Sequence, residues 1–146
     1  MIFIIVSAIL VLDRLTKFLV SNELNLNSSI PLIKGIFYIS LVHNRGAAFG
    51  FLKNQLPLFI ATSLIAIILI WRALKSNKYS KTYTIALSLI LAGALGNLVD
   101  RLLYGYVIDF LDFRVWPVFN VADSAITIGA IILGWSIIFS KDRKPS

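Results

Sequence analysis

Four uncharged and predominantly apolar blocks, at residues 1–12, 56–71, 82–99 and 124–139, restrict this chain more than any other feature. A span of about 20 apolar residues crosses the hydrocarbon core of a bilayer. Each block reaches about that length once flanking residues able to sit among lipid headgroups are added. The composition agrees: 58 % of the 146 residues are hydrophobic and 14 % charged, against roughly 25 % charged in ordinary soluble domains. The expected fold is an all-α membrane protein, a four-helix bundle forming one integral membrane domain over 1–146. The first block shows no early basic residue and no small-residue cleavage site before it runs into "DRLTKFLV", so it is expected to be a retained helix over about residues 1–20. The second is expected from Pro57, which a first turn tolerates, to Arg72. The third is "TYTIALSLILAGALGNLV" (82–99), and the fourth runs from Asn120 or Val121 to Ser140.

Charge sets the orientation. Arg72, Lys75, Lys78 and Lys81 crowd the short loop after the second block with no acid among them, and Lys141, Arg143 and Lys144 follow the fourth. The positive-inside rule assigns that loop and both termini to the cytoplasm. Residues of about 21–55 and 100–120 then face outward. In the first of these segments "GIFYISLV" (35–42) reads as a strand, and "NRGAAFG" (44–50) as a turn leading into close packing. A small outward-facing β-cradle between helices one and two is expected, with "FLKN" as an amphipathic exit. The second segment, "LLYGYVIDFLDFRVWPVF", carries the mixed aromatic and charged character of a headgroup-level piece.

The net charge of +7 is accounted for by these flanks and by anionic lipid, so nucleic acid is not an expected partner. Cysteine is absent and His43 is the only histidine, which excludes disulfides, thiol nucleophiles and histidine-rich metal sites. No cofactor and no metal are expected.

Two acids stand where the apolar runs stop: Asp100 in "GNLVDR" and Asp123 in "FNVADS". Helix three running outward and helix four running back bring both to one outer rim. Two carboxylates at the edge of hydrocarbon lower their cost by sharing a proton, and a singly protonated pair can activate water and protonate a carbonyl at once. Asn97 and Asn120, each three positions before an acid, have the donors and acceptors to orient such a pair. The plainer reading makes Asp123 a helix-dipole partner and Asp100 a local ion pair with Arg101. Asp13, Arg14 and Lys17 are readable as the snorkelling end of helix one. Asp109 and Asp112 read as solvated or bonded to backbone, His43 as a weak candidate base, and "GALG" (93–96) as a close-packing stripe. Two other functions fit a greasy chain with buried acids, a small proton-coupled carrier or a non-enzymatic scaffold. The absence of an inverted repeat and of discontinuous helices speaks against the carrier.

The ordered blocks "DRLTK" (13–17), "NRGAAFG" (44–50), "GNLVDR" (96–101), "VIDF" (107–110) and "FNVADS" (119–124) closely resemble the bacterial lipoprotein signal peptidase family, also called signal peptidase II, over nearly the whole chain. The resemblance implies an aspartic endopeptidase of the bacterial cytoplasmic membrane, working near the outer face; a monomer is expected. Its substrate would be a diacylglyceryl-modified prolipoprotein, cut just before the lipidated cysteine. It further implies Asp100 and Asp123 as the catalytic pair, Asn44 on the substrate side, and a role for Asp13, Thr16 and Lys17. Gly46, Asn97, Arg101 and Asn120 are expected to support the site. Gly46, Ala47, Ala48, Gly93 and Gly96 are expected to accept the small residues before the cysteine.

Overall fold

The computed structural model describes residues 1–46, 54–76 and 79–139. Four helices and three strands follow in the order α1 (Ile2–Glu23), β1 (Ser29–Ile33), β2 (Phe37–Asn44), α2 (Leu56–Lys75), α3 (Lys81–Tyr104), β3 (Val107–Asp112) and α4 (Val121–Phe139). Ala47, Ala48 and most of "FLKN" lie outside the described residues, as does Ser140.

Helix α3 is the centre of the bundle. Its buried positions include Ala86, Leu87, Leu91, Ala92, Gly93, Gly96 and Asn97, and α1, α2 and α4 all pack on it. In lipid there is little hydrophobic drive between helices, so close backbone approach and van der Waals contact must hold them. Gly93 and Gly129 provide this for α3 and α4: a Cβ on Gly129 would sit 2.7 Å from the Ala86 carbonyl, and one on Gly93 would strike the Ala122 carbonyl. Ser80 caps α3 by accepting from the Tyr83 N–H at 3.2 Å. Gly105 ends it in the left-handed conformation at φ +76°, which carries a steric penalty for any residue with a side chain.

Helix α3 therefore runs past the apolar block and includes Asp100 and Arg101, which the sequence placed at its end. Helix α2 is peripheral, with Leu74 as its only buried residue.

Three helices, α2, α3 and α4, are long and apolar enough to cross a membrane. The sequence predicted four. Helix α1 has the length, but Asp13, Arg14 and Lys17 lie within it rather than at its end. Asp13 and Lys17 are buried, so they do not snorkel.

The strands form one antiparallel sheet in the order β1-β2-β3. The expected cradle is present between α1 and α2, turning at Gly35 with φ +82°. Its third strand, however, comes from the segment between α3 and α4. Past β3 the chain loops back so that Phe119 exchanges backbone hydrogen bonds with Leu111 at 2.8 and 3.1 Å, which seats Asn120 beside β3 at the start of α4.

Candidate active site

Asn120 is the N-cap of α4. Its Oδ1 accepts from the Asp123 N–H at 2.8 Å, and Asp123 Oδ2 reaches back to the Asn120 N–H at 3.3 Å. This reciprocal pattern satisfies two amides that a helix start leaves open. The other oxygen of Asp123 accepts from Asn97 Nδ2 at 2.7 Å. Asn97 Oδ1 accepts in turn from Asn120 Nδ2 at 3.1 Å and from Lys17 Nζ at 3.4 Å. With its oxygen held by two donors, the Asn97 amide has one orientation, with its nitrogen toward Asp123.

Asn120 Nδ2 also donates to Asp109 Oδ1 at 2.7 Å. Asp109 Oδ2 accepts from Asn44 Nδ2 at 2.9 Å, while Asn44 Oδ1 accepts from the Gly46 N–H at 2.9 Å. Asn120 thus bridges Asp109 on β3 and Asp123 on α4. Both acids line one cavity of about 330 Å³ together with Asn44, Gly46, Asn97, Arg101 and Phe59. Asp109, 1 % exposed, is buried, and Asp123 is half-buried. Arg101 extends over the Phe59 ring with its guanidinium carbon 5.0 Å from the centroid. Burial and the neighbouring charge of Asp123 push the Asp109 carboxyl up to about 7, against the opposing pull of the Asn44 and Asn120 hydrogen bonds and the Lys17 charge.

Asp100 stands elsewhere. It is fully buried and ion-paired to Arg14 Nη1 at 2.6 Å and Lys17 Nζ at 2.7 Å. Asp13 joins the same cluster through Arg14 Nη2 at 2.8 Å and Lys17 Nζ at 2.9 Å. Two acids and two bases close on one another, and Asp100 is not among the residues that line the cavity. The remaining oxygen of Asp13 accepts from the Ala122 N–H at 3.1 Å, so an acid on α1 caps the first turn of α4 across the bundle. Thr16 turns back to the Leu12 and Asp13 carbonyls at 2.7 and 3.1 Å. The sequence expects Asp100 and Asp123 as the pair; the acid that lines the cavity with Asp123 is Asp109.

Asp109, read from the sequence as solvated or bonded to backbone, is held between two asparagine amides. The signal available in the sequence was one acid inside the apolar strand run "VIDF", a position where an unpartnered carboxylate is costly. Asp112, the other acid of that segment, accepts from Ser40 Oγ at 2.7 Å and from the Arg114 N–H at 2.8 Å, a structural role. His43 stacks on Tyr106 at 3.9 Å between centroids and lines a different cavity, beside Arg14 and Lys17. Gly93 and Gly96 are covered by α4 and by Asp13, so they serve helix packing and do not line the acid cavity.

Fold and cavity together define a multi-pass membrane protein in which two acids from different elements share one opening beneath a small sheet. The family model described as signal peptidase (SPase) II matches residues 5–139. A lipoprotein signal peptidase of Halothermothrix orenii is 44 % identical over 133 residues, covering 91 % of this chain and 92 % of the relative. That of Caldanaerobacter subterraneus is 48 % identical over 141 residues, covering 95 % and 97 %. A solved structure, described as a bacterial membrane enzyme determined by the in meso method at 2.3 Å resolution, superposes with a TM-score of 0.86 at 30 % identity, covering 99 % of this chain and 94 % of that one. The chain belongs to the signal peptidase II family.

Proposed function

We propose that this chain is an intramembrane aspartic endopeptidase that removes the signal peptide from diacylglyceryl-modified prolipoproteins, with Asp109 and Asp123 as the acid and base acting on water. The observation that carries this reading is a cavity lined by both carboxylates, which Asn120 bridges. Asp100, the partner expected from the sequence, is engaged by Arg14 and Lys17 instead, which supports a structural role for it.

With one proton shared between the two acids, the ionised carboxylate takes a proton from water as its oxygen attacks the scissile carbonyl carbon. The protonated carboxyl gives its proton to the carbonyl oxygen, yielding a neutral tetrahedral diol. The reverse transfer passes a proton to the amide nitrogen as the C–N bond breaks, releasing a carboxylic acid and an amine. Asn97 and Asn120 fix the acids so that little reorganisation accompanies these transfers. Arg101 and Asn44, which line the same cavity, would hold substrate carbonyls.

Helix α1 serves as the fourth span: its charges are neutralised by one another and by Asp100, so none of the cluster need face lipid. Both termini then lie in the cytoplasm and the cavity near the outer face of the bacterial cytoplasmic membrane, where the lipidated cysteine of a precursor would already sit. A monomer contains every residue this scheme uses.

The test is cleavage of a lipidated precursor by purified, folded variants. Asp109→Asn and Asp123→Asn should each lose about 10²- to 10⁴-fold in rate, the usual worth of one acid or base. Near-normal turnover by folded Asp109→Asn protein would overturn the assignment.

A further inference from the structure

The cavity beside His43, of about 680 Å³, lies between the outer end of α1 and the sheet and shares no lining residue with the acid cavity. Helix α1 contributes Arg14, Lys17, Phe18, Ser21 and Asn22 to it, and that spacing puts all five on one helical face. In a mostly apolar helix this is a polar stripe. Facing it, His43 stacks on Tyr106 at 3.9 Å and Tyr106 on Tyr104 at 5.9 Å between centroids. The charge is one-sided: Arg14 and Lys17 line the cavity, whereas their partners Asp13 and Asp100, both fully buried, do not. No acid occurs among the described residues of the lining. The ion cluster thus turns its cations to the cavity and hides its anions. Arg14 is a third exposed, and its Nε is buried without a hydrogen-bond partner. Burial, and after it the charge of Arg45, hold the His43 imidazole below its usual range, so positive potential reaches this wall too.

We propose that this cavity binds an outer-leaflet phospholipid, with its phosphodiester against Arg14, its headgroup against Ser21 and Asn22, and its acyl chains running down α1 past Val11. The first reason is charge, since a guanidinium suits phosphate oxygens better than any other side chain does. The second is level. Asp13, beside Arg14, caps the first turn of α4 at Ala122, and Arg14 itself reaches the Gly96 carbonyl at 3.1 Å and Asp100 near the outer end of α3. With the sheet facing outward, that is where bilayer phosphates stand and where tyrosine belongs. The third is size. From Arg14 to Asn22 the helix climbs about 12 Å at 1.5 Å per residue, several times the width of a phosphate ion, so a headgroup is needed to fill the climb. Below Arg14, Val11 is on the same face and 57 % exposed, an apolar path for the chains. The inference depends on which face of the bundle is outward and not on which acids cut.

The test uses the full-length protein stripped of lipid in maltoside detergent, with bound lipid counted by native mass spectrometry and stability followed by melting. Dioleoylphosphatidylglycerol should be retained as a single molecule per chain and should raise the melting temperature. Dioleoylglycerol, which lacks the phosphate, and inorganic phosphate should do neither. Ser21→Trp and Asn25→Trp put an indole into the cavity from exposed positions that belong neither to the ion cluster nor to the acid cavity. Each should weaken lipid retention about tenfold and leave the melting temperature of the lipid-free protein unchanged. Leu19→Trp, exposed on α1 and outside the cavity, should bind as wild type does. Equal retention of dioleoylglycerol overturns phosphate recognition, and an equal rise in melting temperature with inorganic phosphate overturns the lipid in favour of a free anion. Undiminished retention in both cavity variants overturns the site and leaves the lipid in the surrounding annulus.

Discussion

Asp100 and Asp109 are both buried carboxylates near the C-terminal end of α3, yet their surroundings assign them opposite work. Asp100 is met by two cations, and its removal would leave Asp13 as the one acid paired with both Arg14 and Lys17. Breaking a buried pair in this way costs about 3–5 kcal/mol, at the lower end here because Arg14 is a third exposed. Asp100→Asn should therefore unfold at markedly lower temperature by fluorescence-monitored melting in detergent, while the fraction still folded cleaves substrate. Asp109 is met by neutral amides and by another acid. Its carboxyl titrates near 7 in the folded chain against 3.8 as the ordinary value, so the folded state binds the proton more tightly than the unfolded one. The resulting stability is complete below about pH 4 and declines as the pH rises to about 7. Asp109→Asn abolishes that titration. Its melting temperature should exceed that of the wild type by a margin that grows from pH 4 to 7 and then levels; a margin constant with pH would contradict the environment described for Asp109.

At the scale of elements, the joint between α3 and α4 decides whether Asp123 is in place. Gly93 lies against the carbonyl of Ala122, the residue just before Asp123. Gly93→Ala forces a methyl group into backbone that has no rotamer by which to yield, and overpacking of this kind costs about 1–3 kcal/mol. Reduced cleavage together with a lower melting temperature is expected, whereas Gly134→Ala, with open space around it, should change neither.

The helices themselves were legible in the sequence because apolar runs, Pro57 and the residues at the start of α4 are local signals. The end of α3 was not legible. It extends through Asp100 and Arg101 because cations on α1 receive that carboxylate, and no window of sequence contains both helices. The same limit hid the site. "VIDF" shows an acid in a strand, but only the antiparallel register, with Val42 opposite Asp109 and Asn44 opposite Val107, and the pairing of Phe119 with Leu111 reveal that two asparagines converge on it. The asparagine positions were legible, since Asn97 and Asn120 precede their acids by one helical turn. Their choice of partner was not.

Over the whole molecule, the topology is open to a direct check because the chain has no cysteine. A single cysteine at Lys34, on the turn of the sheet, should react with an impermeant maleimide on intact cells. One at Ser76, after α2, should react only after the membrane is permeabilised. The reverse pattern would invert the bundle. The cluster of Asp13, Arg14, Lys17 and Asp100 also bears on how the molecule is made. Synthesis delivers α1 well before α3, so the first helix enters the bilayer with both cations of the cluster but only one of its two anions, and the second anion is still inside the ribosome. The nascent chain must hold α1 at the lipid boundary, or beside the insertion machinery, until residue 100 emerges. Biogenesis thus has a checkpoint written in charge, and chains truncated before α3 should be recovered in the degradative fraction rather than in the membrane.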